Sequence, residues 1–324
     1  MAEPFVRPDV RAFLDMLAAM PEGEWPPQAP AYRDQYRAMT GLVDLPAGEL
    51  AVVRDLAIPG PAGTLSARLF DPRATREPGP ALVFFHGGGF VIGDVDTHAS
   101  IAAEMARTLD LPVVSVDYRL APEARWPAAS DDAEAAARWV ASSPAELGRA
   151  VTSIALAGDS AGGQLSAVAA IDLRDKPAAA PVIAQLLIYP ATDLGTDHPS
   201  LDAFGEGYFL TRKGMMWFAD CYAADTGHPR CTPMRGPSLA GLPPAVIVTA
   251  SLDPIRDQGR AYAAALIAAG VPVVFREAVG NIHGFITLRK AIPSAQGDVA
   301  GMLAAFKDVL VEAEANRVML QAAA

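Results

Sequence analysis

The stretch that decides the reading is SIALAGDSAGGQLSAVAAIDL, residues 153–173. Its first six residues, SIALAG, are short, apolar and β-branched enough to form a buried strand. Its last dozen, rich in alanine and leucine, suit a helix. Between them Gly158-Asp159-Ser160-Ala161-Gly162 fits the pattern G-x-S-x-G. Strand, sharp turn and helix are the context that makes this pattern a nucleophile elbow, with the serine lifted out of the sheet. The small residues at 158 and 162 permit the turn. Ser160 then stands at a helix N-terminus, where free N–H groups and the macrodipole favour negative charge.

A serine hydroxyl is a weak nucleophile at neutral pH and needs a general base. Partners of an elbow serine follow it in the chain, the acid first and the histidine second. Of the five histidines, His283 lies in GNIHGF, in a loop just after the last expected strand. That is the position a base requires. His198 and His228 fall in an insertion and His98 opens a helix; a surface role is expected for all three. His86 ends a strand and is expected to shape the loop after it. The acid should leave the preceding strand, PAVIVTA (244–250), which runs into SLDPIRDQG. Asp253 emerges directly from that strand. Pro254 suits a first helical turn, which puts Asp257 inside the helix. Either carboxylate could simply cap that helix; one of them orienting His283 is the functional reading.

Acyl transfer through Ser160 creates an oxyanion, which needs backbone donors. HGGGF (86–90) follows the apolar strand ALVFFH (81–86). Glycine lets the backbone approach a substrate without a Cβ in the way. The stretch fits neither G-x-G-x-x-G nor G-x-x-x-x-G-K-[ST], which disfavours a phosphate cradle.

Outward from these motifs, strands are expected at 51–58, 64–70, 81–86, 112–117, 153–158, 184–189, 244–250 and 272–277. The first two alternate, like an antiparallel edge. The middle ones are almost continuously apolar, like parallel strands covered on both faces. Ala-rich helical patterns at 97–109, 129–142, 161–174, 256–269 and 297–314 separate them. The class is therefore α/β, with a mostly parallel eight-stranded sheet flanked by helices.

Two regions break the alternation. Residues 1–48 read as two helices split by PEGEWPPQAP (21–30), the first with Val10, Phe13, Leu14 and Leu17 on one face. Residues 191–235 carry Phe204, Tyr208, Phe209, Trp217 and Phe218 but no clear strand, as expected of a lid; a helical hairpin packed for stability alone is the plainer reading. The expected organisation is cap helices over 1–48, core over 49–190, a cap insertion over 191–235 and core over 236–324.

Composition narrows the function. The chain has 324 residues, 51% hydrophobic and 19% charged, so it can build a large core. A net charge of −11 argues against a nucleic-acid partner. The N-terminus lacks the pattern of a signal peptide, and no run reaches the roughly 18 apolar residues of a membrane span, so a cytoplasmic location without membrane association is expected. Two cysteines, Cys221 and Cys231, are too few for a disulfide framework. With His228 they match no familiar zinc spacing, and no metal or organic cofactor is expected.

Together HGGGF (86–90), DYRLAPE (117–123), GDSAGG (158–163), IYPATD (188–193), DPIRDQG (253–259) and HGF (283–285) resemble the hormone-sensitive lipase family of esterases, of α/β-hydrolase fold, in the family's order. The resemblance implies Ser160 as nucleophile, Asp253 as acid and His283 as base. It implies the N–H groups of Gly88, Gly89 and Ala161 as oxyanion donors, and the Asp117–Glu123 segment as a brace for the active-site loops. Ile255 stands where the family usually has leucine. Phe90, Asp159, Tyr189, Phe204, Tyr208, Phe209, Trp217 and Ile282 are the expected substrate contacts. The expected activity is a serine carboxylesterase acting on short-chain esters, as a monomer or homodimer. Hydrolysis of amides, formamides or carbamates by the same triad, and non-catalytic binding of a small molecule, are the alternatives. Matched ester and anilide substrates separate the first, and tight binding without turnover the second.

Overall fold

The computed structural model describes residues 3–21, 25–236 and 238–323. The part of the expected interhelical segment at 22–24 lies outside them. Eight strands form one sheet: β1 (Val52–Gly60), β2 (Gly63–Asp71), β3 (Gly79–Phe85), β4 (Val113–Asp117), β5 (Val151–Asp159), β6 (Val182–Ile188), β7 (Ala245–Leu252) and β8 (Val273–Ile282). Their order is β1-β2-β4-β3-β5-β6-β7-β8. β1 and β2 are antiparallel, β2 meets β4 antiparallel, and every later pairing is parallel. In β1 only Leu56 and Ile58 are buried, the alternation of a one-sided edge.

The helices are α1 (Pro8–Ala18), α2 (Ala29–Val43), α3 (Ala99–Leu109), α4 (Ala128–Ala141), α5 (Ala161–Asp175), α6 (Pro199–Phe204), α7 (Arg212–Tyr222), α8 (Arg256–Ala268) and α9 (Ala295–Ala322). Successive residues of β3 serve opposite faces. Ala81, Val83 and Phe85 pack with α4 and α5, whereas Leu82 and Phe84 pack with α3 and α9. Burial on both faces explains the uninterrupted apolar runs of the central strands.

Some boundaries differ from expectation for identifiable reasons. α9 continues past residue 314 to Ala322. No Gly or Pro stops it, and Arg317 bridges Glu314 and Gln321 across successive turns. β8 runs on to Ile282, because a register shift lets Leu252 pair with Ile282. α8 starts at Arg256 and not at Pro254. Asp253 Oδ1 accepts the Ile255 N–H at 2.9 Å, a local turn that delays the helix.

The first two helices are bound to the core as well as to the insertion. Arg289, fully buried, donates to Asp44 at the end of α2 (3.0 and 3.2 Å). Arg7 pairs with Asp298 of α9 at 2.6 Å. Phe13 of α1 lies 5.8 Å from Phe209, and Tyr32 of α2 lies 5.4 Å from Trp217, both in the 191–235 insertion.

Cys221 is half-buried, Cys231 is buried, and both are free. Burial pushes the Cys231 thiol up to about 11, so it stays protonated and unreactive at neutral pH. Adding a reductant will leave the melting temperature unchanged; a fall of several degrees would reveal a disulfide.

Candidate active site

β5 delivers Ser160 at the carboxyl end of the sheet, where parallel strands present their loops together. Ser160 has φ 54° and ψ −117°, a conformation that L residues rarely adopt. The turn is tight enough that its glycines have no substitute. A Cβ on Gly162 would stand 1.9 Å from the Phe85 carbonyl oxygen, and one on Gly158 would stand 2.2 Å from the Gly162 oxygen. α5 therefore crosses the end of β3 in direct backbone contact.

β7 delivers Asp253, and the loop after β8 delivers His283. The three side chains meet. His283 Nε2 lies 2.9 Å from Ser160 Oγ, and His283 Nδ1 lies 2.7 Å from Asp253 Oδ2. Asp253 is wholly buried, and its other oxygen is occupied by the Ile255 N–H, so both oxygens have fixed partners. Asp257 points elsewhere. It receives the Ser200 N–H at 3.0 Å and pairs with Arg256 at 2.8 Å. Burial alone would raise its pKa, but Arg256 and Arg260 hold the carboxyl below the usual range.

Opposite Ser160 lies the Gly-rich loop. Gly88 and Gly89 have φ of +119° and +59°. The Gly88 carbonyl accepts from Val91 (3.0 Å) and Ile92 (2.9 Å), closing a tight turn. Among the described residues, nothing accepts from the N–H groups of Gly88 and Gly89. The Ala161 N–H opens α5 and has no intrahelical acceptor. Among the described residues, three backbone N–H groups, those of Gly88, Gly89 and Ala161, are thus without a protein acceptor.

Beneath this loop lies a buried polar network that the sequence did not disclose. Asp159, expected to meet substrate, is buried and accepts the Gly87 N–H at 2.8 Å. It also faces His98 Nε2 (3.4 Å) and the Tyr189 hydroxyl (3.3 Å). Burial raises its pKa, yet His98, His86 and the Gly87 N–H together hold the carboxyl below its ordinary value. Its partners in the structure are the loop backbone, His98 and Tyr189. His98, expected at the surface, is 1% exposed, because this carboxylate compensates its burial. His86 stacks on Tyr118 at 4.3 Å. Burial, and then His98, lower its pKa to about 4, so it stands neutral.

The other expected residues lie at varied depths. His198, expected at the surface, is half-buried and pairs with Asp193 at 3.1 Å; His228 is exposed, as expected. Ile282 is wholly buried in the core cluster that holds Phe13 and Phe285. The Tyr189 ring, also buried, packs behind His283 at 4.5 Å. Phe90 is stacked on Tyr222 at 3.9 Å. Phe204 is buried between Tyr208 and the Arg256 guanidinium. Tyr208 and Phe209 are half-buried, with Phe209 against Gly284, next to His283. Trp217 is buried against Tyr32 and Phe218. Phe218, absent from the expected contacts, covers Gly89 so closely that a Cβ there would stand 2.4 Å from its ring. Its i+1 position beside Trp217 was the only signal in the sequence.

Residues 82–287 match a family described as alpha/beta hydrolase fold. The chain belongs to the α/β-hydrolase-fold family. Its relatives place this α/β-hydrolase in the hormone-sensitive lipase group that its motifs resemble. It is 44% identical over 245 residues to the carboxylic ester hydrolase LipN of Mycobacterium tuberculosis, covering 73% of this chain and 65% of LipN, just under two thirds of that protein's length. It is 43% identical over 268 residues to esterase LipI of the same organism, covering 81% of this chain and 83% of LipI. The solved structure of ester-hydrolase EH1AB1 from the metagenome of Lake Arreo, in complex with a bipyridine phosphonate derivative, superposes with a TM-score of 0.88 at 35% identity. That match covers 94% of this α/β-hydrolase and 98% of the other chain. Among the described residues, no helix is long and apolar enough to cross a membrane.

Proposed function

We propose that this carboxylic ester hydrolase cleaves short-chain esters through an acyl-enzyme on Ser160, with His283 as base and Asp253 as the acid that orients it. The observation that carries this reading is the unbroken hydrogen-bonded chain from Ser160 through His283 to Asp253, with steps of 2.9 and 2.7 Å. The Asp253 carboxylate accepts a hydrogen bond from Nδ1–H and stays ionised, which leaves Nε2 free to accept the serine proton as Oγ attacks the ester carbonyl. The tetrahedral oxyanion then takes the N–H groups of Gly88, Gly89 and Ala161. Such donors are pre-aligned where charge develops, so they stabilise the transition state more than the substrate. As the intermediate collapses, His283 returns the proton to the departing alcohol. Water, activated by the same imidazole, releases the acid.

The short acyl preference is read from the walls. Phe218 closes on Gly89 and Phe209 on Gly284; α1 packs on Phe209 through Phe13, and α2 packs through Tyr32 on Trp217, which touches Phe218. We read residues 1–48 and 191–235 as one cap built from two distant pieces of chain. An enclosed site of this kind buries most of a small ligand, which suits acyl chains of about eight carbons or fewer.

A p-nitrophenyl alkylphosphonate will label Ser160 stoichiometrically and abolish hydrolysis in step with labelling. Across p-nitrophenyl esters, kcat/KM will peak at a short acyl chain. Rates that climb steadily to C16 with activation at an oil–water interface would refute the enclosed pocket. Labelling elsewhere would refute Ser160.

A further inference from the structure

We propose that Arg33 of α2 is a positioning residue for the oxyanion loop, so that this second helix takes part in catalysis as well as covering the site. The inference rests on the reading of the Gly88 and Gly89 N–H groups as oxyanion donors. It goes beyond that reading by naming what holds them in place.

The loop does not hold its own shape. Besides its glycines, Phe90 has φ +64°, a left-handed conformation that L side chains avoid. Conformations of this kind persist only where the surroundings over-determine them. Two fastenings come from below: Asp159 on the Gly87 N–H (2.8 Å) and the Tyr118 hydroxyl on the His86 carbonyl (2.7 Å). A third comes from the side, where Ala121 donates to the Phe90 carbonyl at 2.8 Å. The fourth comes from α2. Arg33 Nε donates to the Val91 carbonyl at 2.7 Å, and its Nη2 donates to the Ala121 carbonyl at 2.8 Å. One guanidinium thus locks the far side of the glycine turn to the segment that already grips Phe90. Glu123 completes the fork with contacts of 2.9 and 2.6 Å. One turn further along α2, Arg37 binds Asp94, whose carboxylate also receives the Thr97 N–H at 2.7 Å. Two arginines of one helix face therefore tie down both ends of the segment from Val91 to Asp94.

Only arginine presents donors in the planar, divergent arrangement that reaches two carbonyls and a carboxylate at once. Lysine keeps the charge but supplies a single point of attachment. The consequence is kinetic. The loop's donors act on the oxyanion and not on the uncharged ester, so loosening them lowers kcat and leaves KM nearly unchanged.

The test uses the full chain and a p-nitrophenyl phosphonate, whose phosphoryl oxygen needs the same donors. For Arg33→Lys, kcat will fall on the order of tenfold, KM will stay within about threefold, and phosphonate inactivation of Ser160 will slow by the same factor as kcat. Arg174→Lys loses a comparable pair of bonds, to the Ser238 and Ala240 carbonyls, away from the loop, and will leave kcat within about twofold. If Arg33→Lys does not accumulate as folded protein, Arg33→Gln serves the same comparison. Wild-type kcat and inactivation rate in a folded Arg33 variant would overturn the proposal. So would a loss confined to KM, or an Arg174→Lys effect equal to that of Arg33→Lys. Failure of the phosphonate to label Ser160 in the wild-type chain would instead refute the underlying esterase mechanism.

Discussion

Replacing Ser160 by alanine will lower kcat by roughly 10⁶, because the members of a triad act as a unit and removing the nucleophile removes the covalent route. The substitution deletes one oxygen at a half-buried position and leaves the backbone bonds of the elbow in place, Ser160 N–H to Ile188 and Ala191 N–H to the Ser160 carbonyl. The fold and the melting temperature should therefore survive. His283→Ala will cost a similar factor, and the double variant will be little worse than either, since each alone already forfeits the acyl-enzyme. The measurement is single-turnover hydrolysis of a p-nitrophenyl ester together with thermal unfolding. An alanine variant that keeps a few per cent of the wild-type rate would show that the chemistry lies elsewhere. Additive losses in the double variant would show that Ser160 and His283 do not work together.

The second large effect separates two carboxylates four residues apart. Asp253→Asn will reduce kcat on the order of 10⁴-fold with little change in KM. With its oxygen held by the Ile255 N–H, the amide turns its NH2 toward Nδ1 across the 2.7 Å contact and donates to it, which favours the imidazole tautomer with its proton on Nε2, the wrong nitrogen. Asp257→Asn will leave kcat nearly intact and lower stability by about 1–2 kcal/mol, through its bonds to Ser200 and its pairing with Arg256. Parallel kinetics and unfolding curves on the two variants check this. The reverse pattern would transfer the acid's role to Asp257.

Much of this was legible in the sequence because it is local. A strand covered on both faces must be apolar throughout, so β3, β5, β6 and β7 announce themselves. An elbow demands small residues at 158 and 162, and the contact of Gly162 with the Phe85 carbonyl shows why. His283 could be chosen because it follows a strand and lies downstream of an acid that also follows one.

What stayed hidden is long-range and polar. Nothing around position 98 says that its imidazole is buried, since the compensating carboxylate lies 61 residues away at Asp159. Arg33 looks like any cation on an exposed helix until the fold brings the Val91 and Ala121 carbonyls beneath it. Phe218 belongs to an aromatic cluster whose composition suggested a wall but not which ring would lie over Gly89. Side chains satisfied by a distant backbone carbonyl leave no periodic trace, and the sequence is read through periodicity.

The sheet order has a consequence for how such a chain can change. The chain leaves the sheet at the end of β6 and re-enters at β7, and these two strands are direct neighbours, paired from Gln185–Ala245 to Ile188–Val248. Ser160 lies before this exit, and Asp253 and His283 lie after the return. Their separation is set by ladder spacing, whatever number of residues loops out between. The length of the 191–235 segment is thus free of the spacing between the triad residues: residues added between its packed parts need not move the reacting atoms. Its contacts with α1 and α2 must be matched, and so must those with the core, where Phe218 lies over Gly89, Tyr222 stacks on Phe90 and Arg230 pairs with Asp131, Glu134 and Asp172. Divergence in substrate choice can accumulate there while the chemistry stays untouched.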